Sequence, residues 1–254
     1  MKISKSLNSV ASWSLLRVLL VVNCTVVVLS VWTGISHGDL RANFDEESLI
    51  TWLSMLQLLA IAIVSAGLYL LRCWGRWSWR SPALLWLLIS LGFVFLAVDE
   101  FTEIHERMDI AIHTLFNIQE NAITDRIDDV IVGLYGIIAA GLVYRYRGEI
   151  KRYSTVLPLI VISFIVLFVM VFLDVLTNRP DILSLLLGND FGLVARTSLE
   201  VLEEFCKLTV GSLFLVSVCR AFRAERRMRS ANDADRLSTA DVPAVTFVDR
   251  TTNQ

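Results

Sequence analysis

Six stretches of the chain carry no charged residue: 18–36, 48–71, 81–98, 130–144, 153–173 and 208–219. A helix needs about 20 residues to cross about 30 Å of hydrocarbon. The first, second, third and fifth stretches reach that length, or nearly so, as they stand. The fourth and sixth fall short, so each must include flanking polar residues to span. Barrel strands would alternate polar and apolar at period two, whereas these stretches are solidly apolar. The pattern predicts an all-α polytopic membrane bundle of six transmembrane helices.

Composition agrees. Hydrophobic residues make up 55% of the 254 and charged residues 19%, where a soluble domain would carry about a quarter charged. The mean hydropathy is +0.62. This excludes an ordinary soluble enzyme, a disordered chain and a secreted disulfide scaffold. Cys24, Cys73, Cys206 and Cys219 show no metal-type spacing and read as small buried hydrophobes. The net charge of −2 leaves no domain-wide basic face, so nucleic acid is not an expected partner; the lipid bilayer is.

Basic residues set the expected sidedness. Lys2 and Lys5 precede the first span, and Arg72, Arg76 and Arg80 fill the second-to-third connection. Arg145, Arg147, Lys151 and Arg152 follow the fourth span, and Arg220, Arg223, Arg226, Arg227 and Arg229 follow the sixth. Two of the opposite connections are poor in Lys and Arg: 38–47 holds Arg41 and 177–190 holds Arg179. The positive-inside rule then places both termini in the cytoplasm, as in a multi-pass protein of the bacterial inner membrane. The first apolar run is longer than the about 7–15 residues of a signal peptide and reads as a retained span. Residues 1–223 form the expected six-helix domain, and 224–254 a polar, disordered cytoplasmic tail.

Acids collect at the other end. Counting about 20 residues along each helix, Arg80 leads to Glu100, Arg145 back to Asp125 and Arg220 back to Glu200. About 22 residues lead from Arg152 to Asp174, so these acids share a layer roughly 25–33 Å from the basic face. Three motifs populate it: Asp99-Glu100-x-x-Glu103-x-His105-Glu106, Asp125-x-x-Asp128-Asp129 and Glu200-x-x-Glu203-Glu204. On a continuous helix Asp99, Glu103 and Glu106 fall within roughly 60° of one another. Pairs at i, i+4 (Arg196–Glu200, Glu203–Lys207, Glu103–Arg107) offer a purely structural reading. Yet eleven acids in and around the layer face four bases, Arg107, Arg126, Arg196 and Lys207, which leaves seven carboxylates uncompensated. Protons or bound cations must balance them.

Oxygen-rich ligation with one or two imidazoles suits a divalent metal ion. Asp99, Glu100, His105, Glu106, Asp128, Glu200, Glu203 and Glu204 are the candidate ligands, with Glu103 and Asp129 as candidate general bases on bound water. His105 and His113 lie eight residues apart and cannot chelate together on one helix. Neither HExxH nor the paired ExxH of di-iron bundles is present. Residues 100–124 are expected to continue the third span or to lie on the outer surface as a packed interface helix.

With these residues assembled, the chain resembles a group of uncharacterised bacterial multi-pass membrane proteins. In these the third span ends in a DExxxxHE pattern, here Asp99 to Glu106, and the last span opens with Leu-Glu-Glu, here Leu202-Glu203-Glu204. The resemblance implies a membrane bundle and brings no activity with it. The zinc histidines of alkaline ceramidase-like hydrolases are missing. Three functions remain open at this point. One is a divalent-metal-dependent membrane enzyme acting on a small-molecule or lipid substrate. The second is an ion-coupled carrier or cation-binding transport protein, for which a polar path must run through both halves of the spans. The third is an assembly subunit with a buried ion-pair network.

Overall fold

The computed structural model describes residues 2–38, 48–73, 80–117, 127–177, 183 and 188–240. Among the described residues eight helices follow one another, with no strand: α1 (Lys2–His37), α2 (Leu49–Cys73), α3 (Leu84–Thr102), α4 (Ile104–Phe116), α5 (Ile127–Arg145), α6 (Arg147–Lys151), α7 (Leu157–Thr177) and α8 (Asn189–Ala240). Five of them contain segments long and apolar enough to cross a membrane: Trp13–His37, Leu49–Cys73, Leu84–Thr102, Leu157–Thr177 and Val194–Ala234. Val130–Arg145 is apolar but shorter. The protein is an all-helical, multi-pass membrane protein.

Local chemistry sets several helix ends. Gly38, at φ +75°, closes α1 with its N–H on the Ile35 carbonyl, a left-handed position that glycine takes without penalty. Pro158 sits in the first turn of α7, where its missing N–H costs no helical bond. Asn117, at φ 49°, ends α4, asparagine being the other residue that tolerates this conformation.

The molecule buries polar groups and exposes apolar ones, the reverse of a soluble protein. Asn23, Ser65 and Ser212 are 0% exposed, while Ile63 is 71% and Val21 66% exposed. A hydrocarbon surround produces this inversion, since an unsatisfied polar group facing lipid costs several kcal/mol. Helix α8 is the hub, packing against α1, α2 and α7, with α3 laid on α2. Gly211 leaves room on α8 for the Gln57 side chain of α2, because a Cβ there would collide with Gln57 Oε1.

The basic end is locked by two glutamates. Arg72 donates bidentately to Glu149, Nε to Oε1 and Nη2 to Oε2, both at 3.0 Å, and Trp86 Nε1 donates to the same Oε1 at 3.1 Å. Tyr153 donates to Glu225 Oε2 at 2.8 Å beside Arg152 Nε at 3.2 Å. Burial, and after it the bond to Glu225, raise the Tyr153 phenol above its ordinary pKa, so it stays a donor at physiological pH. Together these bonds tie α2, α3, α6 and α8 around the largest core cluster, where Trp86 meets Tyr153 edge-on at 5.5 Å.

Two expectations change here. The third span does not run on through residue 106: the helix breaks at Glu103, which adopts φ 52°. The stripe of Asp99, Glu103 and Glu106 assumed an unbroken helix and does not form. At the far end, α8 continues to Ala240, past residue 223, where the polar composition begins.

Candidate functional site

The acidic end is organised around one lysine. Lys207 on α8 places Nζ 2.9 Å from Glu204 Oε1 and 3.2 Å from Glu100 Oε1 on α3. The spacing i, i+3 brings Glu204 over the lysine on the same helix face; the α3 carboxylate arrives from across the bundle. The sequence-based pairing of Lys207 with Glu203 is therefore replaced. Turned 100° from Glu204, Glu203 faces α7 instead, where Thr177 Oγ1 lies 2.9 Å from its Oε2. The same Thr177 hydroxyl lies 3.1 Å from the Asp174 carbonyl oxygen one turn back.

Asp99 and His105 form a separate corner. Asp99, only 5% exposed, accepts the backbone N–H of His105 at 3.0 Å, and His105 Nδ1 stands 3.2 Å from the same oxygen. The carboxylate thus caps α4 across the break at Glu103. Glu106 Oε1 is 4.0 Å from His105 Nε2 and half exposed. Arg196 and Glu200 pair at 3.0 Å, as their spacing predicted. His113 is buried and turned back on its own helix, with Nδ1 2.9 Å from Asp109 Oδ1 and 3.0 Å from the Asp109 carbonyl oxygen. Asp125 and the side chains of Asp128 and Asp129 lie outside the described residues.

Among the described residues, no three His, Cys, Asp or Glu side chains stand together as a metal-binding group. The carboxylates that do converge, Glu100 and Glu204, already share an ammonium ion. Lys207 supplies there the positive charge that a dication would otherwise bring.

A second polar feature escaped sequence reasoning. The buried face of α2 carries Thr51, Ser54, Gln57 and Ser65. Gln57 Nε2 donates to Asn23 Oδ1 at 2.9 Å, and Asn23 Nδ2 donates to Ser212 Oγ at 2.9 Å. Gln57 Oε1 and Ser65 Oγ are buried with no hydrogen-bond partner among the described groups. Being uncharged, these residues vanish into the apolar stretches of the chain. Their recurrence every three or four residues from 51 to 57 was the available signal.

A family described as a domain of unknown function (DUF8692) matches residues 14–222. The chain belongs to this family. No curated protein and no solved structure matches it. The family match covers the helices that build the Lys207 centre, the Glu203–Thr177 contact and the Asn23–Gln57–Ser212 network.

Proposed function

We propose that this protein is a proton-coupled membrane carrier in which Glu203 takes up and releases the proton. The contact between Glu203 and Thr177 carries the reading. Thr177 has one hydroxyl proton and two acceptors within reach, the Asp174 carbonyl at 3.1 Å and Glu203 Oε2 at 2.9 Å. With Glu203 ionised, Thr177 shares its one proton between the two oxygens; with Glu203 protonated, Glu203 donates to Thr177 Oγ1 and the Thr177 proton goes wholly to Asp174, so the contact is kept in both states. Glu100 and Glu204 hold Lys207, so Glu203 does not share that ammonium ion at bonding distance. A proton is the smallest cation that can neutralise it there.

The polar face of α2 supports the same reading. A carrier needs hydrogen-bonding groups in both halves of the membrane, and Gln57, Asn23, Ser212 and Ser65 supply them between the carboxylates and the Arg72–Glu149 end. Gln57 Oε1 and Ser65 Oγ, buried without a hydrogen-bond partner among the described residues, are spare acceptors along this face. The divalent-metal enzyme, with Glu103 and Asp129 as bases, gains no comparable support.

In this reading α5 is the sixth crossing, despite its short apolar part, and the basic end with both termini faces the cytoplasm of a bacterial inner membrane. The carboxylates then open outward.

The test is proton flux into liposomes holding the purified protein and a pH-sensitive dye, with an imposed gradient and a candidate cation on one side. Wild-type protein should move protons, and Glu203→Gln should slow this by about tenfold or more while the fold is kept. A wild-type flux equal to that of empty liposomes with protons alone and with sodium, potassium or magnesium present would end the carrier reading. So would a Glu203→Gln flux equal to wild type.

A further inference from the structure

We infer that the cleft at the basic end of the bundle is a binding site for a phosphate-bearing anion, with an anionic lipid headgroup as its expected source. The cleft has a volume of about 560 Å³ and is lined by Arg80, Arg145, Tyr146, Gly148 and Arg152, with Pro82 and Glu149 completing the wall. That volume lies within the usual range for small-molecule sites, roughly 300–1,000 Å³. This inference is independent of the carrier reading, whose residues lie at the opposite end.

Charge and placement both favour an anion. Arg72, Arg80, Arg145 and Arg152 stand around the cleft against Glu149 and Glu225, so four positive and two negative groups leave a net +2. The one carboxylate in the wall does not repel an incoming anion, because Arg72 grips both its oxygens and Trp86 a third lone pair. The three lining arginines are exposed residues, and guanidinium groups match phosphate oxygens in pairs. Scattered inner-face arginines would satisfy a topological bias alone. Here residues distant in the chain, 80 before α3 and 145–152 between α5 and α7, converge on one concavity. Its walls are the ends of membrane-crossing helices, which puts the cleft at headgroup depth, where basic pockets take up anionic lipid.

Gly148 makes a clean test available, since a Cβ there meets nothing within 4 Å. Gly148→Glu adds a negative charge at the cleft from a position whose Cβ is unobstructed, Gly148→Ala adds only the methyl group, and Arg80→Gln/Arg145→Gln removes two cations. Thermal melting of each protein in neutral detergent is measured against phosphatidylglycerol, phosphatidylcholine and inorganic phosphate at constant ionic strength. Phosphatidylglycerol should raise the melting temperature of wild type and of Gly148→Ala. Its apparent affinity should fall about tenfold or more in Gly148→Glu and in the double arginine variant. An additional shift with inorganic phosphate, lost in the same variants, would assign the site to soluble phosphate compounds as well. Two outcomes overturn the inference: no probe shifts wild type, or phosphatidylcholine or the two charge variants match phosphatidylglycerol on wild type.

Discussion

Lys207 decides which acids act as a unit. Its ammonium group serves Glu204 and Glu100, not Glu203, and the three side chains are between 14% and 27% exposed. Removing one partner of such a buried group strands the others, which costs about 3 kcal/mol at the lower end for buried ion pairs. Lys207→Met should therefore destabilise the protein by that order in detergent unfolding. Glu204→Gln should recover part of the loss in the double mutant, with a coupling of about 1 kcal/mol or more. Glu203→Gln should couple to Lys207→Met more weakly than Glu204→Gln does, because Glu203 bonds to Thr177 on another helix. A stronger coupling to Glu203 than to Glu204 would contradict the observed pairing. The i, i+4 rule alone favoured Glu203; the arrival of Glu100 from α3 selects the rotamer, and no local spacing reports it.

At the level of elements, the break between α3 and α4 shapes the acidic end. Helix α3 stops because Glu103 turns left-handed, with its N–H on the Asp99 carbonyl at 2.7 Å. Glutamate is a poor residue for that conformation, and no Gly, Asn or Pro announces the stop. The apolar spacing of Ile104, Met108 and Ala111 suits a helix on either side of a break, so periodicity could not reveal it. Asp99 then stabilises the new helix start by capping His105. Glu103→Gly should leave the melting temperature unchanged or raise stability by up to about 1 kcal/mol. Asp99→Ala should cost about 1–2 kcal/mol through the lost cap. A clear loss of stability in Glu103→Gly would show that the Glu103 carboxylate, rather than its backbone, is what the fold needs. Helix α8 shows the converse. Its polar segment from 224 to 240 carries four Ala and four Arg, both strong helix formers, so a change in composition does not interrupt the helix.

For the whole molecule, the two ends differ in kind. One holds Arg72, Arg152, Glu149 and Glu225 in a tight lock beside an arginine-lined cleft; the other holds carboxylates that outnumber their lysine. In the proposed orientation the first end, where arginines concentrate, faces the cytoplasm. Single cysteines can test this in a protein whose own four cysteines have been replaced. His37→Cys, at the exposed end of α1, should react with an impermeant thiol reagent from outside sealed cells. Gly148→Cys should react only after the membrane is opened. The opposite labelling pattern would invert the molecule and direct the carboxylates inward.

Several features followed from the order of residues alone: the membrane character, the helical class, the long apolar helices and the gathering of acids at one end and arginines at the other. Each rests on quantities that add along the chain, namely uninterrupted apolar length, a rise of about 1.5 Å per residue and local charge density. Tertiary structure decided what those quantities do not contain. It chose Glu204 and Glu100 for Lys207, turned Glu203 toward Thr177, broke the helix at Glu103 and joined Asn23, Gln57 and Ser212 inside the bundle. Partner choice depends on which helix faces which, and that is settled by packing between segments as distant as residues 23 and 212. In a medium without water, a buried polar side chain must take the partner that packing brings to it.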